Sequence, residues 1–191
     1  RELKHRAVYC IEPNGKVFEV THNISKPNGI AISPDGKMLF VADHDNGTDN
    51  IDPDAKVAPT PGPMKIYGWW LKKDGRVEKE RFTIVDFSHY KMKGCDGMTV
   101  DENGYLYLTV RDAARPGVMV VDPFKGRNVG YIPTGPIGQD QATAVGLPSN
   151  VEFGIGKDRD VLYITVDKSL YRIKLKTRGW HVQYQGRKKK L

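Results

Sequence analysis

The chain has 191 residues, enough for one domain with a substantial core, and its nine Tyr and six Phe are cut up by 20 Gly and 12 Pro in the manner of a turn-rich all-β protein. Part of its net charge of +7 sits in the terminal "GRKKKL", and no helix-turn-helix, zinc-finger spacing or RNA-binding aromatic motif accompanies it, so nucleic acid is not an expected partner. No apolar run nears the roughly 20 residues of a membrane span and the opening "RELKHRAVYCIEP" has no signal-peptide pattern, so the expectation is a soluble protein, cytoplasmic or periplasmic/secreted, with no membrane partner.

The first strand patterns are "AVYCIEP" and "KVFEVT", joined by a turn at Asn14-Gly15 and covering residues 7–21. A longer unit follows over 27–88. It opens with "KPNGIAISPDGKMLFVAD", in which the turn Pro34-Asp35-Gly36 separates two apolar runs, and continues with "MKIYGWWL" and "ERFTIVDF" about a turn at Lys73-Asp74-Gly75. The unit then recurs. Residues 95–134 give "CDGMTVDENGYLYLTVRD", "GVMVVDP" and "NVGYIPT"; residues 148–185 give "SNVEFGIGKDRDVLYITVD", "SLYRIKL" and "WHVQYQ", before a basic tail at 186–191. Helical periodicity is absent over any useful length.

Four antiparallel strands per unit is the make-up of a β-propeller blade. The fold class predicted is therefore an all-β propeller of four-stranded blades, with three blades and the outer half of a fourth in this chain. Such an arc leaves sheet edges open, which natural propellers avoid. The chain is expected to be the C-terminal portion of a larger ring, whose missing N-terminal blades come from an upstream segment, another chain or a second copy.

Laid on one another, the units place Asn28, Asp96 and Asn150 at the same position, at the head of the innermost strand. They should ring one mouth of the central channel. The second strand of each blade returns to that mouth, which adds Asp43, His44 and Arg111 as candidates for the channel mouth or a substrate. Carboxylate and amide oxygens suit a hard divalent cation, Ca²⁺ first, with Zn²⁺, Mg²⁺ or Mn²⁺ as alternatives. Taken singly, Asn28-Gly29 and Asp96-Gly97 are equally tight-turn pairs; their recurrence at one position favours a site.

The acidic run Asp43, Asp45, Asp49, Asp52, Asp54 does not have EF-hand spacing and reads as a solvated loop, with a second, weaker cation site as the alternative. Trp69 and Trp70 read as packing residues, and Cys10 and Cys95 as buried thiols. No Gly-x-Ser-x-Gly elbow is present, so serine hydrolase chemistry is not expected.

"SKPNGIAISPDGKMLFVAD", "GCDGMTVDENGYLYLTV" and "LPSNVEFGIGKDRDVLYITV" resemble, in that order, motifs of the SMP-30/gluconolactonase/LRE family. The resemblance implies a six-bladed propeller that holds one divalent cation in its channel mouth and hydrolyses sugar lactones or related esters. It implies that Asn28 and Asp96 are metal ligands and that Asp96 is also the general base. The stretch "HDNGTDNIDPDAKVAPTPGPMKIYGWW" is similar to an insertion of the bacterial gluconolactonase-like members. The family's first metal ligand is a glutamate in the first blade, and its substrate-contacting Arg and Asn follow in the next blades. Glu12 and Glu19 stand in the outer half-blade instead, so this chain alone is expected to lack a complete site. A propeller that binds a ligand or protein without catalysis, and a paraoxonase- or strictosidine-synthase-like enzyme, are the alternatives.

Overall fold

Apolar residues on alternating strand positions decide the architecture of this computed structural model, which describes residues 6–47 and 61–184. In order, the strands are β1 (Val8–Ile11), β2 (Val17–Thr21), β3 (Pro27–Ile32), β4 (Met38–His44), β5 (Met64–Trp70), β6 (Phe82–Asp86), β7 (Cys95–Val100), β8 (Leu106–Val110), β9 (Gly117–Asp122), β10 (Arg127–Pro133), β11 (Pro148–Phe153), β12 (Val161–Val166) and β13 (Ser169–Lys174). They form antiparallel sheets β1-β2, β3-β4-β5-β6, β7-β8-β9-β10 and β11-β12-β13. Each is a meander of neighbours in sequence, so these are blades of a partial propeller, with β3, β7 and β11 innermost. Among the described residues no helix is long and apolar enough to cross a membrane.

The middle strands are buried on both faces, and the period of two sends alternate side chains into different cores. Leu39 and Val41 of β4 pack towards β1 and β2 with Val8, Tyr67 and Trp69, while Phe40 and Ala42 face the next blade with Leu106 and Leu108. From β8, Tyr107 turns the other way and meets Phe153 edge to face at 5.0 Å, in the core shared with β11 and β12. The blades therefore adhere by interleaved apolar faces. Trp69 is fully buried and a packing residue as predicted, whereas Trp70 is 45% exposed and meets Phe82 edge to face at 5.9 Å.

The third blade departs from the expected four strands. "WHVQYQ" supplies no strand among the described residues; Val182–Tyr184 form a 3₁₀ turn. After β13 the chain instead passes beneath the second blade, where Gly179 bridges Asp101 and the Trp180 amide donates to the Val100 carbonyl at 3.1 Å. The physical reason is that β13 offers only a wet edge, all six of its residues being exposed, whereas Trp180 finds the apolar cluster beneath β3 and β7. Gly179 permits this course, because a Cβ there would lie 2.1 Å from Phe153 Cβ. The basic tail at 186–191 lies outside the described residues.

At the other end of the arc, an apolar groove of about 690 Å³ separates the β1-β2 hairpin from β3. Val8, Ile11, Ile30 and Ile32 are among the residues that line it.

Candidate active site

The three equivalent polar residues meet in one cleft of about 380 Å³, lined by Asn28, Asp96 and Asn150 together with Ser149, Met98 and Glu152. What aims them is a β-bulge at the head of each innermost strand. Pro27 pairs with Asp43 and Ile30 with Val41, so Asn28 and Gly29 together face one residue of β4. Asp96 and Gly97 are displaced in the same way between Cys95 and Met98, and in β11 the shift falls between Pro148 and Asn150. Bulges bend a strand and redirect a side chain. The Thr109 hydroxyl closes the second bulge by donating to the Gly97 carbonyl at 2.8 Å, and the Thr165 hydroxyl accepts from the Asn150 amide at 2.9 Å in the third.

Asn28-Gly29 is thus part of a strand and not a turn, and Gly29 has no left-handed φ. It is glycine for want of room. A Cβ on Gly29 would stand 2.5 Å from the Asp96 carbonyl oxygen, and one on Gly97 would stand 2.1 Å from Asn150 Oδ1. Each glycine lets the next blade's inner strand close in, and that approach brings the polar residues together.

The side chains of Asn28 and Asp96 take no hydrogen-bond or ionic partner among the described residues, so their oxygens remain available. Asn150 Oδ1 accepts from the Val151 amide at 2.9 Å, which fixes the side chain against Gly97. As a donor set for a hard cation, Asn28 and Asp96 fit in kind and are few in number. Among the described residues no group of three or more His, Cys, Asp or Glu is placed to hold a metal ion.

Asp43 corrects the sequence reading. It is fully buried, and its carboxylate accepts from the Ser25 and Lys26 amides at 3.1 and 2.8 Å, so it does not reach the cleft. Its counterparts do the same work: Asp112 accepts from the Lys93 amide and Asp167 from the Gly146 amide. In each blade an aspartate at the end of the second strand ties down the loop that leads into the first. Asp43→Ala is expected to lower stability by about 2 kcal/mol, the cost of leaving buried amides unpaired, while ligand binding by the folded protein persists. Urea unfolding alongside a binding assay checks both halves.

His44 and Arg111 stand on the seams between blades. His44 Nδ1 donates to the carbonyl of Cys95, next to Asp96, at 2.9 Å, and Arg111 donates to the Leu147 carbonyl at 3.3 Å, just ahead of β11. Both steady the backbone on which cleft residues ride. Cys95 is buried, and burial pushes its thiol well up, so it is an inert packing thiol; Cys10 is half-buried. Of the acidic run, Asp45 caps its own loop at the Gly47 amide, and Asp49, Asp52 and Asp54 lie outside the described residues.

Glu152 is the cleft residue that sequence reasoning missed. Asn150 and Glu152 share one face of β11, and Glu152 stands where the other units carry Ile30 and Met98. A charge at a position that is apolar in the sister repeats was the available signal.

No protein-family model matches the chain. It is 32% identical over 184 residues to a lactonohydrolase of Aspergillus oryzae, with 91% of this chain and 34% of that protein covered. It is 26% identical over 186 residues to a gluconolactonase of Zymomonas mobilis, covering 94% of this chain and 43% of that one. A solved gluconolactonase of Xanthomonas campestris superposes with a TM-score of 0.64 at 26% identity, covering 91% of this chain and 46% of the other. The chain thus spans less than half the length of each of these proteins. The family resemblance read from the motifs is borne out by these relatives.

Proposed function

We propose that this chain is part of a metal-dependent hydrolase of sugar lactones, gluconolactonase-like in substrate, whose reaction centre is the cleft of Asn28, Asp96 and Asn150. The observation that carries the reading is the convergence of these three residues, from the irregular heads of the innermost strands of successive blades, in a chain similar to lactone hydrolases along nearly all its length.

Asn28 Oδ1 and one Asp96 oxygen would hold the cation, with further donors coming from outside this chain. A bound divalent cation supplies Lewis acidity at the lactone carbonyl and makes a water acidic at neutral pH. The other Asp96 oxygen accepts a proton from the attacking water as its oxygen bonds to the carbonyl carbon. The ring C–O bond then breaks as Asp96 returns that proton to the leaving ring oxygen, and the product is the open hydroxy acid. The Asn150 amide nitrogen donates to the substrate, its oxygen being committed to Val151.

The ring is completed by blades that this chain does not contain. The apolar groove between β1-β2 and β3, and the exposed Leu170 and Tyr171 of β13, support that reading, since blade faces are otherwise covered by neighbours. The scarcity of cation ligands here favours one second reading, a propeller that binds ligands without catalysis.

The test is hydrolysis of gluconolactone by the complete protein before and after chelation. Activity that disappears with chelator and returns with Ca²⁺, Zn²⁺, Mg²⁺ or Mn²⁺ is expected. Activity that survives exhaustive chelation overturns the metal dependence, and an absence of aldonolactone hydrolysis favours the binding propeller.

A further inference from the structure

We propose that Glu152 selects polyhydroxylated lactones and sets their orientation, by accepting hydrogen bonds from substrate hydroxyl groups below the reaction centre. The inference deepens the lactonase reading and rests on it.

The channel wall built by this chain has two tiers. Asn28, Asp96 and Asn150 form the upper one. Two residues further along the same strands, Ile30, Met98 and Glu152 form the lower, and beneath them lie Ile32, Val100 and Trp180. Glu152 is the single carboxylate of the lower tier and lines both the upper cleft and the space beneath it. It is held from two sides: Oε1 accepts from the Thr99 hydroxyl at 2.7 Å and from the Phe153 amide at 2.8 Å. Thr99 belongs to β7, so the carboxylate is anchored across the seam between two blades. No partner is recorded for Oε2 among the described residues.

An exposed carboxylate, held at one oxygen and flanked by the apolar Ile30 and Met98, matches one ligand chemistry well. A sugar ring lays its C–H face on Ile30 and Met98 and donates its hydroxyls to Glu152. An unsubstituted lactone leaves that acceptor unanswered, and a site built to bond a hydroxyl discriminates strongly against an analogue without one. The negative charge also disfavours a carboxylate at the lower tier. It therefore turns the hydroxyl end of the substrate inward and leaves the carbonyl beside Asp96.

The experiment compares Glu152→Gln with the unaltered complete protein on gluconolactone and on δ-valerolactone, which has no hydroxyls. Glutamine keeps an oxygen for Thr99 and Phe153 while losing the charge. KM for gluconolactone is expected to rise about 10- to 100-fold, the worth of a hydrogen bond to a charged group, with kcat changing little and valerolactone kinetics unaltered. An equal loss on both substrates, or none on either, overturns the proposal. If the unaltered protein hydrolyses no lactone, the lactonase reading has failed separately. Glu152 is then judged by calorimetric binding of methyl glucoside against tetrahydropyran: a sugar preference that Glu152→Gln abolishes supports the role, and no preference, or one unchanged in Glu152→Gln, overturns it.

Discussion

Asp96→Asn should lower kcat for gluconolactone in the complete protein by about 10³-fold while leaving the fold intact. The size follows from the role: a positioned general base contributes typically 10²- to 10⁴-fold, and asparagine keeps an oxygen for a cation but has no basicity. Substrate binding should suffer less than turnover, since the proton is accepted only as the water attacks. Stability should hold or rise slightly. Asp96 has no cationic neighbour recorded among the described residues, so its charge is held for chemistry and not for folding. Steady-state kinetics with a thermal unfolding scan separate the two effects. A variant that retains activity within about tenfold would show that another group takes the proton.

Gly29→Ala should be among the most damaging single methyl additions in the chain, costing about 3 kcal/mol, the upper end of what overpacking does to a well-packed core. The atoms that its Cβ would meet are the Asp96 carbonyl oxygen at 2.5 Å, the Met98 amide nitrogen at 2.9 Å and the Gly97 carbonyl carbon at 3.1 Å. All belong to the backbone of the neighbouring blade. No rotamer change relieves the clash, so the two inner strands must part and Asp96 must move with them. Gly130→Ala is the control: it too sits in a strand, but its nearest neighbour would be Val120 Cβ at 3.6 Å. That variant should fall within about 0.5 kcal/mol of the parent, as changes free of clash, strain or buried polar loss usually do. Urea unfolding midpoints for the pair measure the difference, and similar midpoints would mean that the inner strands are not in close contact.

The strands were legible because both physical signals, alternating apolar runs and turn residues, recur in each unit. Asn28, Asp96 and Asn150 were legible for the same reason, although their mechanism was not. Asn28-Gly29 looks like a turn pair, and only the packing of β3 on β7 shows why a glycine is there. Repetition also misled. Asp43, Asp112 and Asp167 recur as faithfully as the cleft residues, yet they serve the fold by capping amides, and a sequence does not say which way a strand-end carboxylate points. Glu152 escaped for the opposite reason, being a difference between repeats where sameness was sought. Residues 180–184 misread because "WHVQYQ" has the composition of a strand. What decided their path was Trp180's better burial beneath another blade, a long-range preference that no local pattern carries.

The turn of the chain beneath the second blade has a consequence for traffic. Trp180, His181 and Val182 line the space beneath Glu152, so the channel wall that this chain builds carries bulky side chains on the side away from Asn28, Asp96 and Asn150. A molecule moving from the polar ring towards that side has to pass these groups along this wall.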